Sequence, residues 1–192
     1  MSANANESHM LTHVVVGKSK KPRAVKDIMQ RLPVHYYNSQ NAWFTVSITS
    51  DWFIIHAVVE IRHKQVEDLK IPADEVKAII LLNNAPSHHN IEKLCSRDGR
   101  IRCQALIPNT TSAIQPMDQG VIYATKWLYK RKILDEVKEV EETSEDQVED
   151  TGRQRTFRNL KLYNFRSSSH NFAASAKEVK ATILIKSWEK LL

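Results

Sequence analysis

The chain has 192 residues, 42% of them apolar and 26% charged, enough for one domain with a core and a small appendage. No apolar run reaches the roughly 18 residues of a membrane span. The polar start MSANANESHM lacks the apolar stretch of a secretory leader. Two cysteines, Cys95 and Cys103, make no disulfide framework, so a reducing compartment is expected. The net charge of +6 is unevenly spread: residues 135–150 hold nine acidic residues and one lysine, a local −8 that leaves +14 on the rest. A basic body beside an acidic stretch fits a polyanionic partner such as nucleic acid, and fits equally a merely soluble basic surface.

In chain order, Thr12 to Gly17 (THVVVG) reads as a short, fully buried strand. The basic loop Lys18-Ser19-Lys20-Lys21-Pro22-Arg23 follows, and Val34 to Tyr37 reads as a second strand. Thr45 is placed to cap a helix through about Gln65, with Ile48, Trp52, Ile55 and Val59 as its apolar face. Lys77 to Leu82 (KAIILL) is the central strand, its unbroken apolar character predicting cover on both faces. A short helix over Ser87–Arg97 is expected to end at Gly99 as C-cap, followed by a strand over Ile101–Ile107. A long helix starts near Pro116 and carries Asp118 in its first turn. Residues 141–156 are expected to be a flexible acidic insert, so the domain divides into 1–140, the insert, and a helical part over 157–192. Phe157–Phe172 is ambiguous, and Ser175–Leu192 reads as a final helix burying Val179, Ile183 and Trp188. Mixed strands and helices favour an α/β fold.

Asn83 ends the central strand and Asp118 opens the long helix, with 34 residues between them. A strand end and a helix first turn can converge on one ion. Magnesium takes oxygen ligands, chiefly carboxylates and water, and a pair of such ions can activate a water and stabilise the leaving oxygen of a phosphodiester. The flanking residues narrow the reading. NNAPSH at 83–88 and PNTTSAIQPMDQGVI at 108–122 resemble the DDE transposases of the pogo/Tigger branch, with its Jerky-like and centromere protein B-related members. The early SANANESHML and VVVGKSKKPRAVK, the block from Tyr37 to Glu60 and the closing AASAKEVKATILIKSWEKLL are similar to the same family, so the likeness runs nearly the length of the chain.

The resemblance implies an RNase H-like mixed sheet flanked by helices and a triad of acidic metal ligands. The first of these would lie on a first core strand upstream of the stretch matched by Ser2 to Lys18, so that strand is expected to be missing. Glu7, in a polar turn-like stretch, does not replace it. The second acidic position falls on Asn83 and the third on Asp118. A neutral amide and one carboxylate are a poor ligand set, so the expectation is a catalytically degenerate domain with no cofactor, Mg2+ or Mn2+ being the ion if any activity remains. An active metal-dependent DNA endonuclease is the rival, and a protein-interaction or vestigial fragment the next. Asn84, Pro86, His88, Gln115 and Pro116 are the accompanying motif positions. Locally, Asn83 and Asn84 also suit a turn, and Asp118 suits a helix N-terminus whatever its ancestry.

His88, His89, Cys95 and Cys103 lack the paired short spacing of a zinc site, and His89 is expected to be exposed. Neither a Gly-rich phosphate loop nor a nucleophile elbow is present. Two basic clusters remain as phosphate contacts. Lys18, Lys20, Lys21 and Arg23 lie in the early loop. Lys126, Lys130, Arg131 and Lys132 lie on the long helix among Trp127 and Tyr129, with the acidic run placed to fold over them. The expected partner is DNA or another nucleic acid, bound without sequence preference and away from membranes. In related full-length proteins base reading belongs to a helix-turn-helix region that this stretch does not contain. KSKKPR at 18–23 and the family together predict a nuclear location.

Overall fold

A computed structural model describes residues 1–6, 8–88, 90–139 and 152–191. Glu7, His89 and residues 140–151, most of the expected acidic insert, lie outside them. The described chain is a mixed α/β structure with two small parallel sheets. Strands β1 (Val14–Gly17) and β2 (His35–Asn38) pair in one, β3 (Ala78–Leu82) and β4 (Ile101–Ala105) in the other. The registers are Val14 opposite His35 and Ala78 opposite Ile101. Ahead of β1, residues 2–4 fold back on 9–11 through an antiparallel bridge between Ala3 and Met10.

Thr45 caps the first helix, its hydroxyl accepting from the Ile48 amide at 3.2 Å. The helix alternates α segments, α1 (Val46–Trp52) and α2 (Val58–His63), with π turns at Phe53–Ala57 and Lys64–Asp68. The π turn corrects the expected apolar face. It carries an extra residue per turn, so the buried positions after Trp52 are Phe53, Ala57 and Ile61, while Ile55 and Val59 face solvent. This face packs with Leu11, Val76, Leu94, Ile101 and Cys103 into the larger core. Glu60 ties the helix to the first sheet: its carboxylate accepts from the Thr12 amide at 2.7 Å and from His35 Nε2 at 2.8 Å. Burial works to raise the Glu60 carboxyl, but the His35 and Thr12 bonds outweigh it and the net shift is downward.

Several other expectations are corrected. Strand β3 is not central: it pairs with β4 alone among the described residues, and Ile79 is 57% exposed. Strand β1 is half-buried rather than fully buried. The described residues of 87–97 form no α-helix. Two 3-10 turns, Pro86–His88 and Ile91–Lys93, flank Asn90 at φ 62°, a left-handed residue that no helix continues through. Beyond them Cys95 bridges to Arg102, which draws the segment against β4, and Gly99 (φ 74°) closes a turn rather than a helix.

Pro116–Asp118 is likewise a 3-10 turn that follows the short helix α3 (Thr111–Ile114). The long helix α4 (Val121–Glu139) starts only after Gly120 at φ 93°. Residues 157–172 fall in two helices, α5 (Gly152–Leu162) and α6 (Phe165–Lys177), so 152–156 belong to a helix. The expected final helix is split: α6 ends at Lys177 and α7 (Ala181–Trp188) follows a break. Val121, Val179 and Leu184 form a second core, against which Met1, Ala3, Met10 and Met117 pack. Val179 is buried, whereas Ile183 and Trp188 are half-buried. No helix of the described residues is long and apolar enough to cross a membrane.

Candidate metal and nucleic-acid site

At the carboxyl end of β3 the chain turns through Asn83 to His88, and three side-chain hydrogen bonds hold the turn. The Asn83 side-chain oxygen accepts from the Ala85 amide at 3.3 Å. The Asn83 carbonyl is held by His88 Nδ1 at 2.9 Å, which places the proton on that nitrogen. Asn84 donates its side-chain amide to the Leu106 carbonyl at 2.7 Å, clamping the turn to the residue after β4. Pro86 opens the 3-10 turn that brings His88 back over Asn83.

The second turn is less committed. Its backbone closes through the Asp118 amide to the Gln115 carbonyl at 3.0 Å. The Asp118 carboxylate is exposed and makes no hydrogen bond or ion pair among the described residues. Asn83, His88, Gln115 and Pro116 line one cavity of about 610 Å³, with Asp118 outside the lining.

These residues do not fit a pair of divalent ions. Asn83 brings no charge, and its oxygen already accepts a backbone bond. Asp118 stands as the one carboxylate of the two turns, and no three His, Cys, Asp or Glu side chains gather as a metal group among the described residues. Hard cations need several charged oxygens to offset their dehydration. Cys103 is buried against the core, where burial and then Cys95 push its thiol up to about 12, which leaves it unreactive.

The two basic clusters are presented differently. Lys18, Lys20, Lys21 and Arg23 are exposed and outside the ion pairs of the described residues. Their loop is anchored by Tyr36, whose hydroxyl donates to the Ser19 carbonyl at 2.6 Å and whose ring meets Phe165 edge-on. Gly17 permits this approach, since a Cβ there would meet Tyr36 Cε2 at 3.0 Å and the hydroxyl closer still. On α4, Arg131 lies 3.7 Å from Asp135 and over the Trp127 ring, and Lys132 pairs with Glu178 at 2.6 Å. Lys126 and Lys130 remain exposed outside the ion pairs of the described residues. Tyr129 turns inward to Ser168 at 2.7 Å, so it does not share their face. Sequence reasoning missed Tyr123, 76% exposed, which with Lys126, Trp127, Lys130 and Leu134 forms one aromatic and basic stripe. The three- and four-residue spacing back from Trp127 and Lys130 is the signal that points to it.

Comparison with known proteins follows the same motifs. The model of the DDE superfamily endonuclease family matches residues 1–188. The human Tigger transposable element-derived protein 7 is 41% identical over 194 residues, covering 100% of this chain and 35% of that protein. The human Jerky protein homolog is 37% identical and the mouse Jerky protein 36% identical, each over 63% of this chain and 21% of the relative. The chain thus spans about a third or less of the length of these relatives. No solved structure matches.

Proposed function

Since the chain belongs to the DDE superfamily endonuclease family, we propose that this transposase-derived domain no longer cuts DNA and acts by holding nucleic acid through phosphate contacts. The observation that carries the reading is the pairing of an amide at position 83, spent on its own turn, with a lone carboxylate at Asp118. The basic loop of Lys18, Lys20, Lys21 and Arg23 supplies the main contact. Lys126 and Lys130 on α4 add a second, with Trp127 and Tyr123 as surfaces for stacking. Contacts of this kind read charge rather than base sequence. The order of strands and helices supports an RNase H-like arrangement whose first core strand is not among residues 1–192. The nucleus is the compartment that fits both the partner and the exposed KSKKPR stretch.

The test is retention on DNA as a function of salt. Affinity should fall log-linearly with salt concentration, with little difference between unrelated duplexes. Replacing Lys18, Lys20 and Lys21 together by alanine should lower that slope by about 3, roughly one for each phosphate no longer neutralised. An unchanged slope would remove the loop from the interface.

A further inference from the structure

The basic loop carries one hydroxyl, that of Ser19, and its setting differs from that of other loop hydroxyls. Ser19 lies between Lys18 and Lys20, with Lys21 and Arg23 beyond, and all five side chains are exposed. Residues 18–31 carry six basic residues and one acidic residue, Asp27, so little negative charge opposes an anion at position 19. The hydroxyls of Ser39 and Thr110 are spent on the Trp43 and Ile107 carbonyls, at 2.7 and 2.6 Å. The Ser19 hydroxyl makes no hydrogen bond among the described residues.

The residue is nonetheless held in place. Tyr36 donates its hydroxyl to the main-chain carbonyl of Ser19 at 2.6 Å, which fixes the backbone and leaves Oγ free. The chain leaves β1 at Gly17, and the next element is the 3-10 turn Arg23–Val25. Positions 18–22 therefore belong to no helix or strand. An enzyme's groove can take in such a segment without unfolding an element.

We propose that Ser19 is a phosphoacceptor for a serine kinase with an acidic peptide groove, and that its phosphate closes the basic loop to nucleic acid. The phosphoryl donor is ATP. Ser19 Oγ attacks the γ-phosphorus, and the bond from that phosphorus to the β,γ-bridging oxygen breaks. ADP leaves, and the hydroxyl proton passes to the kinase's catalytic carboxylate. The new phosphate carries about two negative charges at neutral pH, which offsets about half the charge of Lys18, Lys20, Lys21 and Arg23. It also draws those side chains into charge-assisted hydrogen bonds with itself, in place of a polynucleotide phosphate. The closure rests on the nucleic-acid reading of the loop, while the acceptor site stands without it.

The experiment treats the full chain and its Ser19→Ala variant with ATP and a serine kinase that selects basic flanks, beside one that selects acidic flanks. Mass spectrometry locates the phosphate, phosphorus NMR follows its titration, and DNA retention across salt follows binding. The basic-directed kinase should place phosphate at Ser19 and the acid-directed kinase should not. Ser19→Ala should lose that phosphate and keep the salt slope of the unmodified chain. The second ionisation of the phosphoserine should fall below its usual value of about 6, because the flanking cations favour the dianion. The salt slope of DNA retention should drop by about 2, with affinity at about 0.1 M salt lowered roughly tenfold or more. No phosphate at Ser19, or an equal yield with the two kinases, would overturn the acceptor site. An ordinary ionisation or an unchanged slope would overturn the closure. If the unmodified chain shows no salt-dependent retention, the nucleic-acid reading fails and the closure with it, while the location of the phosphate still decides the acceptor site.

Discussion

The turn at Asn83 and the turn at Asp118 both contribute to the lining of one cavity, yet they spend their polar groups in opposite ways. The first is stitched to itself and to the residue after β4 by Asn83, Asn84 and His88. The second closes through two backbone bonds, from the Asp118 and Gln119 amides to the Gln115 and Pro116 carbonyls, and leaves its carboxylate in solvent. An amide can donate and accept, so it can be absorbed into a turn. A carboxylate only accepts, and here no donor reaches it. The difference teaches that local stability and chemical availability have been divided between the two motifs.

The largest effect expected belongs to His13, which lines the same cavity. Burial, and then the charge of the nearby amino terminus, push His13 down to about 4. Its folded-state value lies below the unfolded value of about 6.5, so the unfolded chain binds the extra proton first. Stability present above pH ~6.5 should be lost as pH falls toward 4, by up to about 3 kcal/mol. Denaturant melts across that range read it, and a flat profile would contradict the buried neutral imidazole. Next, His88→Ala should cost roughly 1–2 kcal/mol by releasing the Asn83 carbonyl. Asn84→Ala should cost about 1 kcal/mol by freeing the Leu106 carbonyl. The smallest effect belongs to the other turn: Asp118→Ala should change stability by no more than about 0.5 kcal/mol. If Asp118→Ala proved as costly as His88→Ala, the contrast between the turns would collapse.

How much of this is legible in the sequence varies with the range of the interaction. The Thr45 cap, the apolar run of β3 and the alternation at β4 are written in neighbouring residues, and each predicted element exists. The parallel pairing of β1 with β2 is not, because register between distant strands is settled by packing that no local pattern encodes. A 3.6-residue period puts Ile55 and Val59 in the core, and the π turn at Phe53–Ala57 breaks that period. The helix expected over 87–97 fails at Asn90, a residue that tolerates the left-handed region. Within the site, the two motifs can be read as motifs, but not that Asn83 bonds inward while Asp118 does not. Side-chain partners at 2–22 residues' separation depend on where the turns are held.

The account rests most on position 83 having been given over to its turn. The direct measurement is nicking of supercoiled plasmid at low salt with magnesium or manganese, using the unmodified chain, Asn83→Asp and Asp118→Ala in parallel. The account predicts no nicking above background by the unmodified chain, and none by Asp118→Ala. Nicking by the unmodified chain that disappears in Asp118→Ala would contradict it and make this domain an active metal-dependent endonuclease.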